Sequence, residues 1–497
     1  MTSNYNTARW EELAASLARD EAAAAGAAPA GDVSAYEKAA EDLASPKTAP
    51  AYTPKVVSIR QAASTPKSYP GTTLPQSSAQ PAKETKTYAS DDVVIGTKTL
   101  SEIRADFPIL TENIHGYPIA WFDNGATTQR PKSVIDRLSE YYLHENSNVH
   151  RGVHELANRS TDAYEGAREK IARFLNAPSA NDIVFVRGTT EGINLVAYAY
   201  VRPLLEPGDE IIVSLLEHHA NIVPWQLIAE ETGARIRVIP VDESGQLDIR
   251  ACGSLFNRHT KFVSVTAVSN VLGTITPIAE LIQIAHAHGV PILIDGAQST
   301  AHLPIDLTAL NADFYVFSGH KIYGPNGIGA VYGRHELWEA ARPWQGGGNM
   351  IKDVTFERTI YNEVPNKFEA GTGSIADAVG LGAAVDYLAS IGMAAVAERE
   401  HELTQYALKE MARVPGLHLV GHPTAKSGVL SFVLDGHSIE EVGSYLDRYG
   451  IAVRAGHHCA QPILRHFGLE GTVRPVLGLY NPEAEVDRMV RALRALV

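Results

Sequence analysis

Cysteine is nearly missing: Cys252 and Cys459 are the only two in 497 residues. That excludes a disulfide framework and makes a reducing compartment the natural expectation. Long apolar runs are missing too, since none approaches the ~18 residues of a membrane-spanning helix. The opening stretch MTSNYNTARWEELAASLARDE has no apolar core for secretion and too many acids for an organelle transit peptide. A cytoplasmic location is therefore expected. Positive charge is in deficit, with 43 Lys and Arg against 57 Asp and Glu, a net charge of −14. This argues against nucleic acid or an anionic membrane as the main partner, because both reward a basic face.

Phenylalanine is absent from residues 1 to 97, which are rich in Ala, Pro, Ser and Thr. Between residues 44 and 90, recurring prolines prevent a helix or central strand, and few large apolar side chains offset the ordering entropy. A disordered arm is expected over 1–97. Two islands interrupt it. Trp10, Leu13 and Leu17 fall at helical spacing, as do Val33, Tyr36, Ala40 and Leu43 behind a capping Asp32. Each is too short to be stable alone. Such islands commonly dock into a partner's groove, and the plain alternative is a transient helix without a partner.

What is present from about Leu100 is strand–helix alternation. DIVFV precedes TTEGINLVAYAYV, EIIVS precedes NIVPWQLIAEETG, and RIRVIPV, KFVSVTAVS, PILIDGA and DFYVFSG follow with helical stretches between. The pattern predicts an α/β fold: a mostly parallel central sheet with helices on both faces. The last ~110 residues alternate differently (GVLSFVLD, SIEEVGSYLDRYG, IAVRAG, PEAEVDRMVRALRAL) and predict a smaller α+β domain. The expected division is a large domain over 98–385, its first residues packing with the small domain, and a small domain over 386–497. Ligands in such sheets sit beyond the strand ends.

Several segments carry chemistry. In SGHKIYGPNGIG, Lys321 follows Ser318 and His320 near a strand end. Desolvation lowers a lysine's pKa, as Schiff-base formation needs, and the neighbouring hydroxyl and imidazole can hold phosphate. In PILIDGAQST, Asp295 ends an apolar run with Gln298 close behind. A carboxylate buried there needs a cationic or donor partner, and the protonated ring nitrogen of pyridoxal 5′-phosphate (PLP) is one; a simple helix cap is the alternative. Gly188-Thr189-Thr190 lies between a strand and a helix, which suits an anion site. His218 and His219 are adjacent and lack a His/Cys cluster at ligand spacing, so they are not read as a metal site. A flat imidazole stacked on a cofactor ring fits better. Cys459 in VRAGHHCAQP sits in a loop where cationic neighbours favour thiolate, whereas Cys252 reads as a small buried hydrophobe. Arg474 suits bidentate capture of an α-carboxylate.

Taken together, FDNGATTQRP, NVHRGVHELA, RGTTEGINLVA, EHHANIVPWQ, VSNVLGT, LIDGAQS, SGHKIYGPNGIG, KFEAGT, VRAGHHCAQP and VRPVLGLYN resemble, in the same order, the type II cysteine desulfurases and the similar selenocysteine lyases. These are fold-type I, aminotransferase class V PLP enzymes, and the resemblance runs from about residue 98 to the C-terminus. It implies that Lys321 carries the cofactor as a Schiff base and that His218 stacks on its ring. It also implies that Asp295 pairs with the ring nitrogen and Gln298 with the ring oxygen. Thr190, Ser318 and His320 would bind phosphate, with Thr189 close by. Asn270 and Arg474 would hold the substrate, with His150 and Arg454 lining the pocket. Cys459 would be the nucleophile that becomes a persulfide, passing sulfur to an acceptor protein or thiol. A homodimer is implied as well. Where the family has Pro-Asn after FEAGT, this chain has Gly373-Ser374, in a loop that reaches the partner subunit's phosphate site in these dimers. The arm resembles the N-terminal extensions of cysteine desulfurases carried as encapsulin cargo, and implies a location inside such a nanocompartment. The rival readings are a selenocysteine lyase or another class V PLP enzyme, with the arm a solubility tail.

Overall fold

The computed structural model describes residues 93–150 and 152–497. They fall within one compact unit, residues 88–497. The two amphipathic islands of the N-terminal arm lie outside the described residues.

The central sheet has seven strands: β1 (Ile183–Val186), β2 (Glu210–Ser214), β3 (Arg235–Ile239), β4 (Thr260–Thr266), β5 (Ile292–Asp295), β6 (Phe314–Ser318) and β7 (Gly329–Gly333). Their spatial order is β3-β2-β4-β5-β6-β7-β1. Neighbours from β3 to β6 pair in parallel, and β7 alone runs against both of its neighbours. The sequence explains which strands lie inside. β1, β5, β6 and β7 are apolar runs buried at every position, as strands covered on both faces must be. β3 (RIRVI) begins by alternating arginine with aliphatic carbon and is partly exposed at the edge, where charged side chains discourage further pairing.

Helices cover the sheet. α1 (Lys132–His144), α2 (Glu155–Phe174) and α4 (Ile375–Ile391) pack together on one face, and α3 (Thr189–Val196) follows β1. α4 is apolar almost all round and buried along most of its length, as expected of a core helix. Glycines let its neighbours come close. A Cβ on Gly380 would lie 2.9 Å from Leu138, and one on Gly382 2.9 Å from Ala167. Although α4 and the following Met393–Met411 helix are apolar enough together, the pair is bent by 75°. Among the described residues no single helix is long and apolar enough to cross a membrane.

The C-terminal stretch builds a second, four-stranded antiparallel sheet from β8 (Leu417–Leu419), β9 (Phe432–Leu434), β10 (Arg454–Gly456) and β11 (Thr472–Arg474), ordered β8-β9-β11-β10. It has its own core, including Phe432, Leu446, Val473 and Leu493. Ala120–Trp121 pairs in parallel with Ile451–Ala452, so an early segment lies beside the C-terminal strands.

Residues 93–97 differ from the expectation of a disordered arm ending at 97. Val94–Ile95 and Lys98–Thr99 pair as a short antiparallel hairpin, and Ile95 is buried in the main core. A single well-placed isoleucine supplies the apolar burial that the preceding composition lacks.

Candidate functional site

A cavity of about 410 Å³ opens where five strands end. Each strand delivers side chains from its last residue or from the segment that follows it. β1 leads to Thr189 and Thr190, β2 to His218, β4 to Asn270, β5 to Asp295 and Gln298, and β6 to Ser318, His320 and Lys321. The C-terminal sheet adds Arg454, Cys459 and Arg474. Residues as distant in sequence as Thr189 and Arg474 thus face one volume, because parallel strands all finish on the same edge.

At one end lies an anion cradle. Gly188 caps α3 with φ of 152° and no side-chain bond, leaving helix N–H groups for a ligand. The Thr189 N–H donates to Ser318 Oγ at 2.8 Å, and the two hydroxyls are 2.9 Å apart. A Cβ on Gly188 would sit 3.1 Å from Ser318 Oγ, so glycine keeps the approach open. Burial and the nearby Lys321 charge push His320 down to about 4, leaving it neutral.

Lys321 is the centre of the electrostatics. Burial brings its amine down to about 8, against the opposing pull of Asp295. Asp295 is buried, and burial raises its carboxyl above the usual range. Its Oδ1 accepts from the Ala297 N–H at 2.8 Å. Burial, then the Lys321 charge, pushes His218 to about 3. Its Nδ1 accepts from the Ala220 N–H at 3.0 Å, so the neutral ring carries its hydrogen on Nε2. Gln298 donates from Nε2 to the Gly125 carbonyl at 2.8 Å.

The opposite wall is cationic. Arg474 is 2% exposed and donates from Nη1 to the Asn270 carbonyl at 2.9 Å. Burial lowers its guanidinium to about 10. Its Nε and the Asn270 Oδ1 are buried without a protein partner, and buried polar atoms of this kind call for a ligand. Arg454 makes a two-pronged pair with Asp123, at 3.0 and 2.7 Å. Cys459 is half-buried, and both it and His458 hold left-handed backbone, φ 56° and 52°. Non-glycine residues adopt this conformation rarely, and here two do so in succession at the thiol. The loop is tied down: Asn270 Nδ2 donates to the His458 carbonyl at 2.7 Å, and the His219 N–H to the Cys459 carbonyl at 2.7 Å.

His150 does not join this group. It lines a separate cavity of about 310 Å³ and pairs with Glu165 at 2.7 Å. The loop before α2 carries it away from the strand ends, against the expectation that it lines the pocket with Arg454. Cys252 is buried, and burial raises its thiol to about 11. Asp123, Glu217 and His458 were not singled out by sequence reasoning. Asp123 lay in view within FDNGATTQRP, but its role needs Arg454, 331 positions away.

The aminotransferase class-V family model matches residues 120–489. The chain belongs to this family. It is 58% identical over 397 residues to a cysteine desulfurase of Synechococcus elongatus, covering 80% of this chain and 63% of that one. The cysteine desulfurase of Dickeya dadantii is 49% identical over 398 residues, covering 80% and 96%. Among solved structures, the Escherichia coli cysteine desulfurase CsdA superposes with a TM-score of 0.74 at 40% identity, covering 80% of this chain and 98% of that one. An apo cysteine desulfurase from Thermococcus onnurineus gives 0.76 at 36%, with the same coverage. This chain therefore spans less than two thirds of the Synechococcus relative and nearly all of the Dickeya one.

The family is PLP-dependent, and the cavity fits that cofactor. Lys321 offers an amine near neutrality and Asp295 a buried carboxyl for the ring nitrogen. The cradle at Gly188, with Thr190, Ser318 and His320 around it, is open to a phosphate.

Proposed function

We propose that this chain is a cysteine desulfurase, converting L-cysteine and an acceptor thiol to L-alanine and a persulfide. The observation that carries the reading is the placing of a half-buried thiol, Cys459, in the same cavity as Lys321, Asp295 and Arg474. The similarity to cysteine desulfurases of Synechococcus elongatus and Dickeya dadantii supports it.

PLP, when bound, supplies a sink for the electron pair released at the substrate Cα. Lys321 Nζ would hold the cofactor and, once the substrate amine has displaced it, would take up the Cα proton, a role that suits an amine near 8. Asp295 would hold the ring nitrogen in its protonated form, and Gln298 would bond the ring oxygen. His218, held by the Ala220 N–H at Nδ1, would stack on the ring. Thr189, Thr190, Ser318 and His320 would fix the phosphate. Arg474 would orient the substrate carboxylate through its unpaired buried Nε, with the unpaired Asn270 Oδ1 beside it open to a donor such as the substrate nitrogen, while Arg454, braced by Asp123, lines the mouth of the site. Cys459 Sγ then attacks the substrate sulfur. A new S–S bond forms as the C–S bond breaks, and the electron pair of that C–S bond stays on carbon. The products are alanine and a Cys459 persulfide. Among the described residues Cys252 is the only other thiol and is buried elsewhere, so the sulfur passes to an external acceptor.

The test is the purified enzyme with L-cysteine and a reductant, assayed for alanine and sulfide. Cys459→Ala is expected to keep the visible absorbance of the bound cofactor and lose sulfur release. Unchanged release from that variant would sink the persulfide reading. Comparing L-selenocysteine separates a lyase, which could act without the thiol.

A homodimer belongs to the reading, with the exposed Gly373–Ser374 loop facing the partner subunit's phosphate site. A cytoplasmic location belongs to it as well. The N-terminal arm, by composition and its two amphipathic islands, would tether the enzyme inside an encapsulin shell, with avidity from two arms per dimer. Deleting residues 1–92 and co-expressing the shell protein tests this. Co-purification that survives the deletion would leave the arm a solubility tail.

A further inference from the structure

Behind the cavity wall lies a buried polar network that none of the proposed steps uses. Glu217 and Asn221, both fully buried, stand at the two ends of the short turn that carries His218, His219 and Ala220. Their side chains meet: Asn221 Nδ2 donates to Glu217 Oε2 at 2.6 Å. Glu217 Oε1 also accepts from the Ser214 hydroxyl at 2.5 Å and the Thr266 N–H at 3.0 Å. Asn221 Oδ1 accepts from Trp225 Nε1 at 2.9 Å and the Ser264 hydroxyl at 2.6 Å. Every polar atom of the pair is satisfied, and the partners lie on β2, β4 and the Val223–Thr232 helix. Thr266 is also the register partner of Asp295.

We propose that the Glu217–Asn221 clasp is the positioning device of this site, fixing the His218 turn and, through it, the Cys459 backbone. The inference rests on the desulfurase reading. Three constraints converge on the turn. Its ends are pinned to the sheet by the clasp. Its middle is closed by the Ala220 N–H on His218 Nδ1, which sets the ring. Its outward N–H, from His219, holds the Cys459 carbonyl. Loosening the clasp therefore displaces the ring and the thiol together. A misplacement of reacting groups by about 1 Å can cost on the order of a hundredfold in rate.

The donor pattern makes the clasp testable. The Glu217 carboxyl suits the three donors facing it, whereas an amide in its place turns one N–H pair against Asn221. Glu217→Gln leaves two amides facing, and Asn221 must flip, giving up the Trp225 indole and forcing the Ser264 hydroxyl to turn from donor to acceptor. Exchanging the groups, Glu217→Gln with Asn221→Asp, restores every bond. The amide introduced at the first position accepts from Thr266 and donates to the carboxylate introduced at the second. That carboxylate in turn accepts from Trp225 and Ser264.

The holoenzyme variants are compared for kcat and KM, for visible circular dichroism of the bound cofactor, and for melting temperature. Glu217→Gln is expected to lower kcat by roughly tenfold or more with KM little changed, and to alter the visible dichroism. The double exchange is expected to return both to within about threefold of the starting enzyme. Kinetics and dichroism unchanged in Glu217→Gln, or a double exchange no better than the single, would overturn the clasp. Should Glu217→Gln not fold, Ser264→Ala replaces it. That variant removes one bond from Asn221 and is expected to lower kcat about threefold, and an unchanged kcat and dichroism would overturn the inference. The unmodified holoenzyme making no alanine would fail the desulfurase reading instead, and the dichroism comparison would still judge the clasp.

Discussion

The lysine amine gives the sharpest quantitative expectation. An ordinary lysine titrates at 10.5, and burial brings Lys321 to about 8. At pH 7 an ordinary amine is neutral in about one molecule in 3,000, and one titrating near 8 in about one in ten, a gain of roughly 300-fold in the reactive form. Protein from which PLP has been removed should therefore capture it with a rate that climbs about tenfold per pH step below 8 and levels off above. The sign follows from the protonated amine being unreactive. Asp295 opposes the depression, because its charge favours the ammonium form. Asp295→Asn should move the plateau to lower pH while weakening the finished complex. Stopped-flow absorbance between about pH 6 and 10 measures both. A profile that keeps climbing to the top of that range would refute burial as the dominant cause, and an Asp295→Asn profile displaced upward would refute the opposing role of Asp295.

Arg474→Lys should raise the KM for L-cysteine by roughly 10- to 100-fold with a smaller effect on kcat, from the loss of a charge-assisted hydrogen bond worth about 1.5–3 kcal/mol; unchanged KM would remove Arg474 from carboxylate binding. Away from the cavity, Arg168 is 1% exposed and bonds both oxygens of Glu369, at 2.6 and 3.0 Å. Arg168→Ala strands that carboxylate and should cost about 3–5 kcal/mol in urea unfolding, whereas a loss under about 1 kcal/mol would mean that Glu369 finds water.

Much of the site was legible because its chemistry is local in sequence. Lys321 with Ser318 and His320, or Asp295 with Gln298, each announce a strand end followed by functional groups, and apolar strand runs place those ends on one edge. The misplacement of His150 and the silence about Asp123 and Glu217 have a common cause. Each is defined by a partner or a loop path that local pattern does not encode. The hairpin that begins at Val94 was missed because one buried isoleucine carries it, and composition averages that out.

The sequence by itself determined the strand–helix alternation, the two thiols, the cofactor-type residues and their order, since periodicity and short motifs are properties of neighbouring residues. The tertiary structure decided which of those residues share a cavity, that Lys321 is desolvated, that Cys459 takes a left-handed turn, and that Asn270 and Arg474 keep polar atoms unpaired. Desolvation and pairing depend on what distant segments bring to the same place, and only the closed fold brings Asp123, Glu217, Lys321, Cys459 and Arg474 together.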